Sequence, residues 1–189
     1  MKKGILIVVS APAGCGKDTI VEKLFETERE IRYSVSATTR EVRGGEAEGT
    51  DYFFKTREEF EEMIERGEFL EYTEYCGNYY GTPKSAVTEA LESGHDILLK
   101  IEVHGAENIK KMFPNSVLIF IRPPSLDELR RRLIKRGTED LETIERRIEI
   151  ACKEMTMQCD HYDHYVINDD LEQAVNEIKD IINKKRESL

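Results

Sequence analysis

An uninterrupted apolar run from Gly4 to Ser10 opens a pattern in which short apolar stretches alternate with longer amphipathic ones. A short run without polar alternation predicts a strand buried on both faces. Apolar residues recurring every three or four positions predict a helix with one covered face. On that reading Ile31 to Ser36, Asp96 to Ile101, Ser116 to Ile121 and Tyr165 to Ile167 are further strands. Lys17 to Thr27, Ala106 to Met112, Leu141 to Cys159 and Leu171 to Lys184 are helices. Local chemistry marks several ends. Thr56-Arg57-Glu58-Glu59 has the form of a capping box and starts a helix running to Arg66. Thr82-Pro83 starts another with proline at its first position, and Ser125-Leu126-Asp127-Glu128 caps a third after the break at Pro123-Pro124. Asp51 to Lys55, Phe69 to Tyr75 and Asn78 to Tyr80 read as short strands, the last two joined by a turn at Cys76-Gly77.

Strands alternating with helices imply an α/β fold, a mostly parallel sheet covered by helices on both faces. Two stretches break the alternation: the arginine- and strand-rich segment 34–83 and the basic segment 124–152. Both are expected to be insertions covering a site on a core made of 1–33, 84–123 and 153–189, within the single domain that 189 residues suit. Charge narrows the partners. Twenty-eight Lys+Arg against 38 Asp+Glu leave a net charge of -10, which argues against nucleic acid or a membrane surface, since both favour a positive face. No apolar run reaches the ~18 residues of a membrane span, and a glycine-rich turn follows Ile5 to Val9 where a leader would carry its cleavage site. The expected location is therefore the cytoplasm. Cys15, Cys76, Cys152 and Cys159 form no CxxC pair and are expected to be reduced thiols.

Between the first strand and the first helix lies Ala11-Pro12-Ala13-Gly14-Cys15-Gly16-Lys17-Asp18-Thr19. Small residues there let backbone N–H groups turn inward around a phosphate chain, the helix N-terminus adds its dipole, and Lys17 reaches the terminal phosphates; this is the context of a P-loop. Ala11 replaces the first glycine of the usual pattern. Asp18 stands where a Mg²⁺-binding Ser or Thr usually sits, which leaves two routes for the metal: through water to the carboxylate, or held mainly by nucleotide oxygens. A lone glycine turn would carry little, but a buried strand before it and a helix after it favour a nucleoside triphosphate site. Cys15 at the helix N-terminus is expected to have a lowered thiol pKa, and its alkylation to inactivate the protein.

A second constellation runs from Ser36 to Phe54. Arg40 and Arg43 are cations three residues apart, with the Tyr52 hydroxyl close behind. Two guanidinium forks and a phenol suit a doubly charged monophosphate, and Glu46 could hold one arginine in position. A solvated loop with incidental ion pairs is the weaker alternative, because such a loop does not need so many glycines and aligned arginines.

The run T-T-R-x-x-R-x-G-E-x-x-G-x-D-Y-x-F, from Thr38 to Phe54, resembles the acceptor-site signature of the guanylate kinase family at every fixed position. The N-Y-Y-G-T run at Asn78, F-I-R-P-P-S at Phe120, R-G-T-E at Arg136 and V-I-N-D-D at Val166 are similar to the same family, in its order, over nearly the whole chain. The resemblance implies a P-loop NTPase-type core with a nucleotide-monophosphate-binding insertion and a helical lid. It implies transfer of the γ-phosphoryl group of ATP to GMP with Mg²⁺, by a monomer or homodimer. Arg40, Arg43, Tyr52 and Tyr80 are then expected to bind the GMP phosphate, Glu71 to accept from the guanine N1–H and amino group, and Ser36 and Thr82 to meet the other side of the base. Adenine has no N1–H, so it would leave Glu71 unpaired at a cost of several kcal/mol in order of magnitude. Glu102 is expected to help with guanine, while Lys100 replaces an acid near the phosphates and either adds a phosphate contact or weakens Mg²⁺ binding.

Arg130, Arg131, Arg132, Lys135 and Arg136 cluster on one predicted helix, and Arg146 and Arg147 on the next. Some belong to solvated i, i+4 pairs. The resemblance points to Arg132, Arg136 and Arg147 as lid arginines closing over ATP. A guanylate-kinase-like binding module is a second reading, but such modules typically lose the P-loop lysine and lid arginines, which this chain keeps. A related kinase with another small phosphorylated acceptor is a third, opposed by Glu71 with Ser36 and Thr82. His161 and His164 read as part of a polar connection, not as metal ligands.

Overall fold

A computed structural model describes residues 4–75, 77–101, 103–137, 140–157 and 161–188. Among these the first strand, β1 (Leu6–Ser10), is buried along its whole length. It lies at the centre of a five-stranded, all-parallel sheet with β2 (Arg32–Tyr33), β7 (Ile97–Lys100), β8 (Val117–Arg122) and β9 (His164–Ile167), in the order β2-β7-β1-β8-β9. The period-two alternation of a strand splits the core into two halves. Leu6 and Val8 point to the side of Val87, Ala106 and Ile109. Those residues come from α3 (Lys84–Glu92) and α4 (Val103–Met112). Ile7 and Val9 point to the side of Leu24, Leu129, Ile148 and Ile178. These come from α1 (Lys17–Thr27), α5 (Leu126–Arg136), α6 (Leu141–Met157) and α7 (Leu171–Glu187). Helices on both faces explain why the core strands read as continuous apolar runs.

A second sheet is mixed, in the order β4-β3-β6-β5, from β3 (Ser36–Thr38), β4 (Tyr52–Phe54), β5 (Phe69–Tyr75) and β6 (Asn78–Pro83). The helix α2 (Arg57–Glu65) packs on it through Phe60, which is fully buried and stacks on Phe69 at 4.3 Å and Tyr79 at 5.2 Å. A Cβ at Gly81 would come within 2.8 Å of Phe69 and 2.9 Å of Phe60, so only glycine lets both rings approach β6. The capping box of α2 is formed on both sides. Glu59 N–H donates to Thr56 Oγ1 at 3.1 Å, and Thr56 N–H donates to Glu59 Oε2 at 2.8 Å.

Several expected boundaries move, and three of the shifts have a clear physical reason. The strand expected over Ile31 to Ser36 is two strands: Arg32–Tyr33 pairs with β7 in the first sheet, and Ser36–Thr38 pairs with β4 and β6 in the second. The chain thus crosses between sheets near Ser34, and periodicity does not register which neighbour a strand takes. Pro83 ends β6 and is the N-cap of α3, in extended conformation, instead of its first helical residue. The helix expected from Ala106 starts at Val103, one turn earlier, because Val103 and Ala106 are both buried on its inner face.

Candidate active site

The strand-to-helix turn after β1 is held by glycines in left-handed conformation. Gly14 and Gly16 both have φ 86, and Gly16 is the N-cap of α1. Neither could carry a side chain: a Cβ on Gly14 would meet Leu133 of α5 at 2.7 Å, and one on Gly16 would meet Asn168 Nδ2 at 2.4 Å. Asn168 follows β9 and is buried. Its amide donates to the Cys15 carbonyl at 2.8 Å, and its own carbonyl accepts from Arg132 Nη2 at 2.9 Å. Arg132 also donates from Nε to Glu128 Oε1 at 2.8 Å. Asn168 therefore ties the glycine turn to the first turns of α5. Sequence reasoning assigned it no role; its signal was its place in the run Val166 to Asp170.

Lys17 donates from Nζ to the Ile101 carbonyl at 3.3 Å, which lays its side chain across the turn toward the end of β7. Asp18, next in the helix, accepts from Lys100 Nζ at 2.7 Å. Burial pushes the Asp18 carboxyl up, but the hydrogen bond and charge of Lys100, with Lys17 and Arg136, outweigh it and hold the group below its ordinary range. Lys100 loses some basicity to burial and regains more from Tyr33, Asp18 and Tyr52, so it is held as a firm cation.

The expectation for Cys15 is overturned. The thiol is fully buried, and burial pushes its pKa up to about 12 against the opposing charges of Arg132 and Lys17. Its side chain faces the core while only its carbonyl faces Asn168, so the helix terminus does not activate the sulfur.

On the second sheet, Arg40 donates from Nη2 to Glu46 Oε1 at 2.7 Å and from Nη1 to the Glu41 carbonyl at 2.7 Å. Glu46 Oε2 accepts from the Arg43 backbone N–H at 2.8 Å, so one carboxylate orders both ends of the arginine loop. The Arg40 guanidinium lies 5.4 Å from the centre of the Tyr52 ring, and Tyr52 meets Tyr80 edge-on at 6.1 Å. Ser36 pairs with Tyr52 in the β3–β4 register. Tyr80 and Thr82 are two apart on β6, so they share a face of the sheet. Thr82 Oγ1 donates to Glu71 Oε1 at 2.6 Å. The other Glu71 oxygen lies against α4, where a Cβ on Gly105 would come within 2.8 Å of it. Glu71 thus faces the core from the second sheet. Arg43 and Arg136 are exposed, Arg147 is half-buried on α6, and Glu102 lies outside the described residues. Arg130 is engaged elsewhere: Nε and Nη2 donate to the two Glu145 oxygens at 2.9 and 2.8 Å, bracing α5 against α6.

A parallel five-stranded core with a left-handed glycine turn leading to a lysine at the first helix defines a P-loop α/β protein. The guanylate kinase family model matches residues 3–185. A guanylate kinase of Halalkalibacterium halodurans is 52% identical over 191 residues, covering 100% of this chain and 93% of its own length. One of Oceanobacillus iheyensis is 51% identical over 181 residues, 96% of this chain and 87% of the relative. The crystal structure of guanylate kinase from Anaplasma phagocytophilum superposes with a TM-score of 0.80 at 35% identity, covering 98% of this chain and 87% of that one. The chain belongs to the guanylate kinase family.

Proposed function

We propose that the protein is an ATP:GMP phosphotransferase that moves the γ-phosphoryl group of ATP onto the phosphate of GMP, giving ADP and GDP. The observation that supports this reading is two sets of residues in one chain, a glycine turn with Lys17 and a second sheet bearing Arg40, Tyr52, Tyr80 and Glu71, linked by Lys100, which bonds Asp18 beside Lys17 and whose charge reaches Tyr52. In the transfer the P–O bond to ADP breaks as a P–O bond to a GMP phosphate oxygen forms. Such a step needs in-line placement and positive charge more than covalent help. Residues 11–19 cradle the ATP phosphates. Arg40, Arg43, Tyr52 and Tyr80 bind the GMP phosphate, with Glu46 keeping Arg40 in place. Glu71 accepts the two adjacent donors of guanine, already oriented by Thr82, with Ser36 beside the base.

Mg²⁺ bound with ATP supplies neutralisation of charge on the phosphate oxygens. Among the described residues no cluster of three acids, histidines or cysteines builds a metal cage. The ion would be held mainly by the phosphates, with Asp18 able to reach it through water. We assign residues 34–83 to acceptor binding and 124–152 to a lid that brings Arg132, Arg136 and Arg147 over ATP and excludes water. Among the described residues no helix is long and apolar enough to cross a membrane; a cytoplasmic location fits the nucleotide substrates.

Replacing Glu71 by Gln tests the base assignment. It turns one acceptor oxygen into a donor against guanine, and is expected to lower kcat/KM for GMP by roughly a hundredfold to a thousandfold with little effect on the KM for ATP. An unchanged GMP kcat/KM in a folded E71Q protein would remove Glu71 from the base site.

A further inference from the structure

We propose that Lys100 is a phosphate-contacting residue standing between the two nucleotide sites, and that Asp18 is its resident counterion, which a substrate phosphate displaces. This inference rests on the phosphotransferase reading above. Lys100 ends β7 and stands beside Val9 in the register of the sheet, so its side chain emerges where β1 passes into the glycine turn. Its Nζ donates to Asp18 Oδ1 at 2.7 Å and lies 5.8 Å from the centre of the Tyr33 ring. Lys17 reaches the neighbouring Ile101 carbonyl from the other side. Asp18 feels the charges of Lys100, Lys17 and Arg136 together, and the charge of Lys100 also reaches Tyr52 on the acceptor sheet. One carboxylate thus accepts directly from Lys100, with the charges of Lys17 and Arg136 acting on it more weakly. A phosphate oxygen has the charge and acceptor chemistry to take the same place.

The pair is built to open. Lys100 is 24% exposed but Asp18 is 71% exposed, so water reaches the carboxylate side of the pair and can compete for it. The lysine stem is long and flexible, so the ammonium can leave one oxygen for another without moving the strand. Lys100 transfers no proton. It supplies a cation to the phosphate oxygens as the bond to ADP breaks and the bond to GMP forms.

Three variants test this: Lys100→Met, Lys100→Arg and Asp18→Asn. Each is measured for kcat, for the KM of GMP, and by calorimetry for GMP affinity without ATP or metal. K100M is expected to lower kcat by about a hundredfold and to weaken metal-free GMP binding by about tenfold, and K100R to restore at least about a tenth of wild-type kcat. D18N removes the competing anion and is expected to tighten metal-free GMP binding by about threefold. Values for K100M within about twofold of wild type would overturn the proposal, as would a K100R protein no better than K100M. Should K100M not fold, D18N decides, since weaker metal-free GMP binding in D18N contradicts displacement of its carboxylate. A wild-type protein that makes no GDP from GMP defeats the underlying reading instead; an active wild type with an unaffected K100M defeats this inference alone.

Discussion

At Cys15 a helix terminus and three-dimensional burial act on one thiol in opposite directions. The glycine turn places the residue at the positive end of α1, where a thiolate gains from the dipole, yet the sulfur is turned into the core and loses its hydration. Desolvation wins and the pKa goes up to about 12. Iodoacetamide at pH 8 is therefore expected to leave Cys15 unmodified in the native protein and to label it only after unfolding, while the exposed Cys152 reacts in both states; labelling followed by peptide mass spectrometry reads this directly. Glu46 shows the reverse balance. The hydrogen bond from Arg40 and then the Arg43 N–H hold its carboxyl below the ordinary 4.5. A depressed acid binds fewer protons folded than unfolded, so its contribution to stability is present above that ordinary value and fades as pH falls through the folded one. Glu46→Gln is expected to be less stable than wild type at pH 7, with the gap closing below pH 4.5 in denaturant titrations across pH.

Among the elements, α2 depends on a single anchor. Phe60 is its fully buried residue, stacked between Phe69 and Tyr79 and seated over Gly81. Phe60→Ala should cost about 3–5 kcal/mol, lowering Tm by roughly 10 °C in thermal melts followed by circular dichroism. The core strands and most helices were legible in the sequence because each carries its own signal: continuous apolar runs for strands covered on both faces, capping boxes and prolines at helix starts. The split at Ser34 was not legible, since the choice of sheet for Arg32–Tyr33 and Ser36–Thr38 is made by distant strands. The candidate site divides in the same way. The glycine turn and the arginine spacing stand out in the residues themselves. The Lys100–Asp18 pair joins positions 82 apart, and the Asn168–Cys15 bond positions 153 apart, so no local pattern announces them.

On the scale of the whole molecule, a chain of net charge -10 sets Lys17 and Lys100 at the glycine turn and Arg40 on the second sheet. Those cations suit small polyanions. The central claim is that the second sheet selects GMP as acceptor and the glycine turn presents ATP to it. The most direct measurement is ADP formation from Mg²⁺-ATP with GMP, AMP, CMP or UMP offered in turn to the same preparation. Rapid ADP formation with GMP, accompanied by an equal amount of GDP and at most a trace with the other three, is the predicted result. Comparable turnover with AMP, or none with GMP from a folded protein that binds it, would contradict the account.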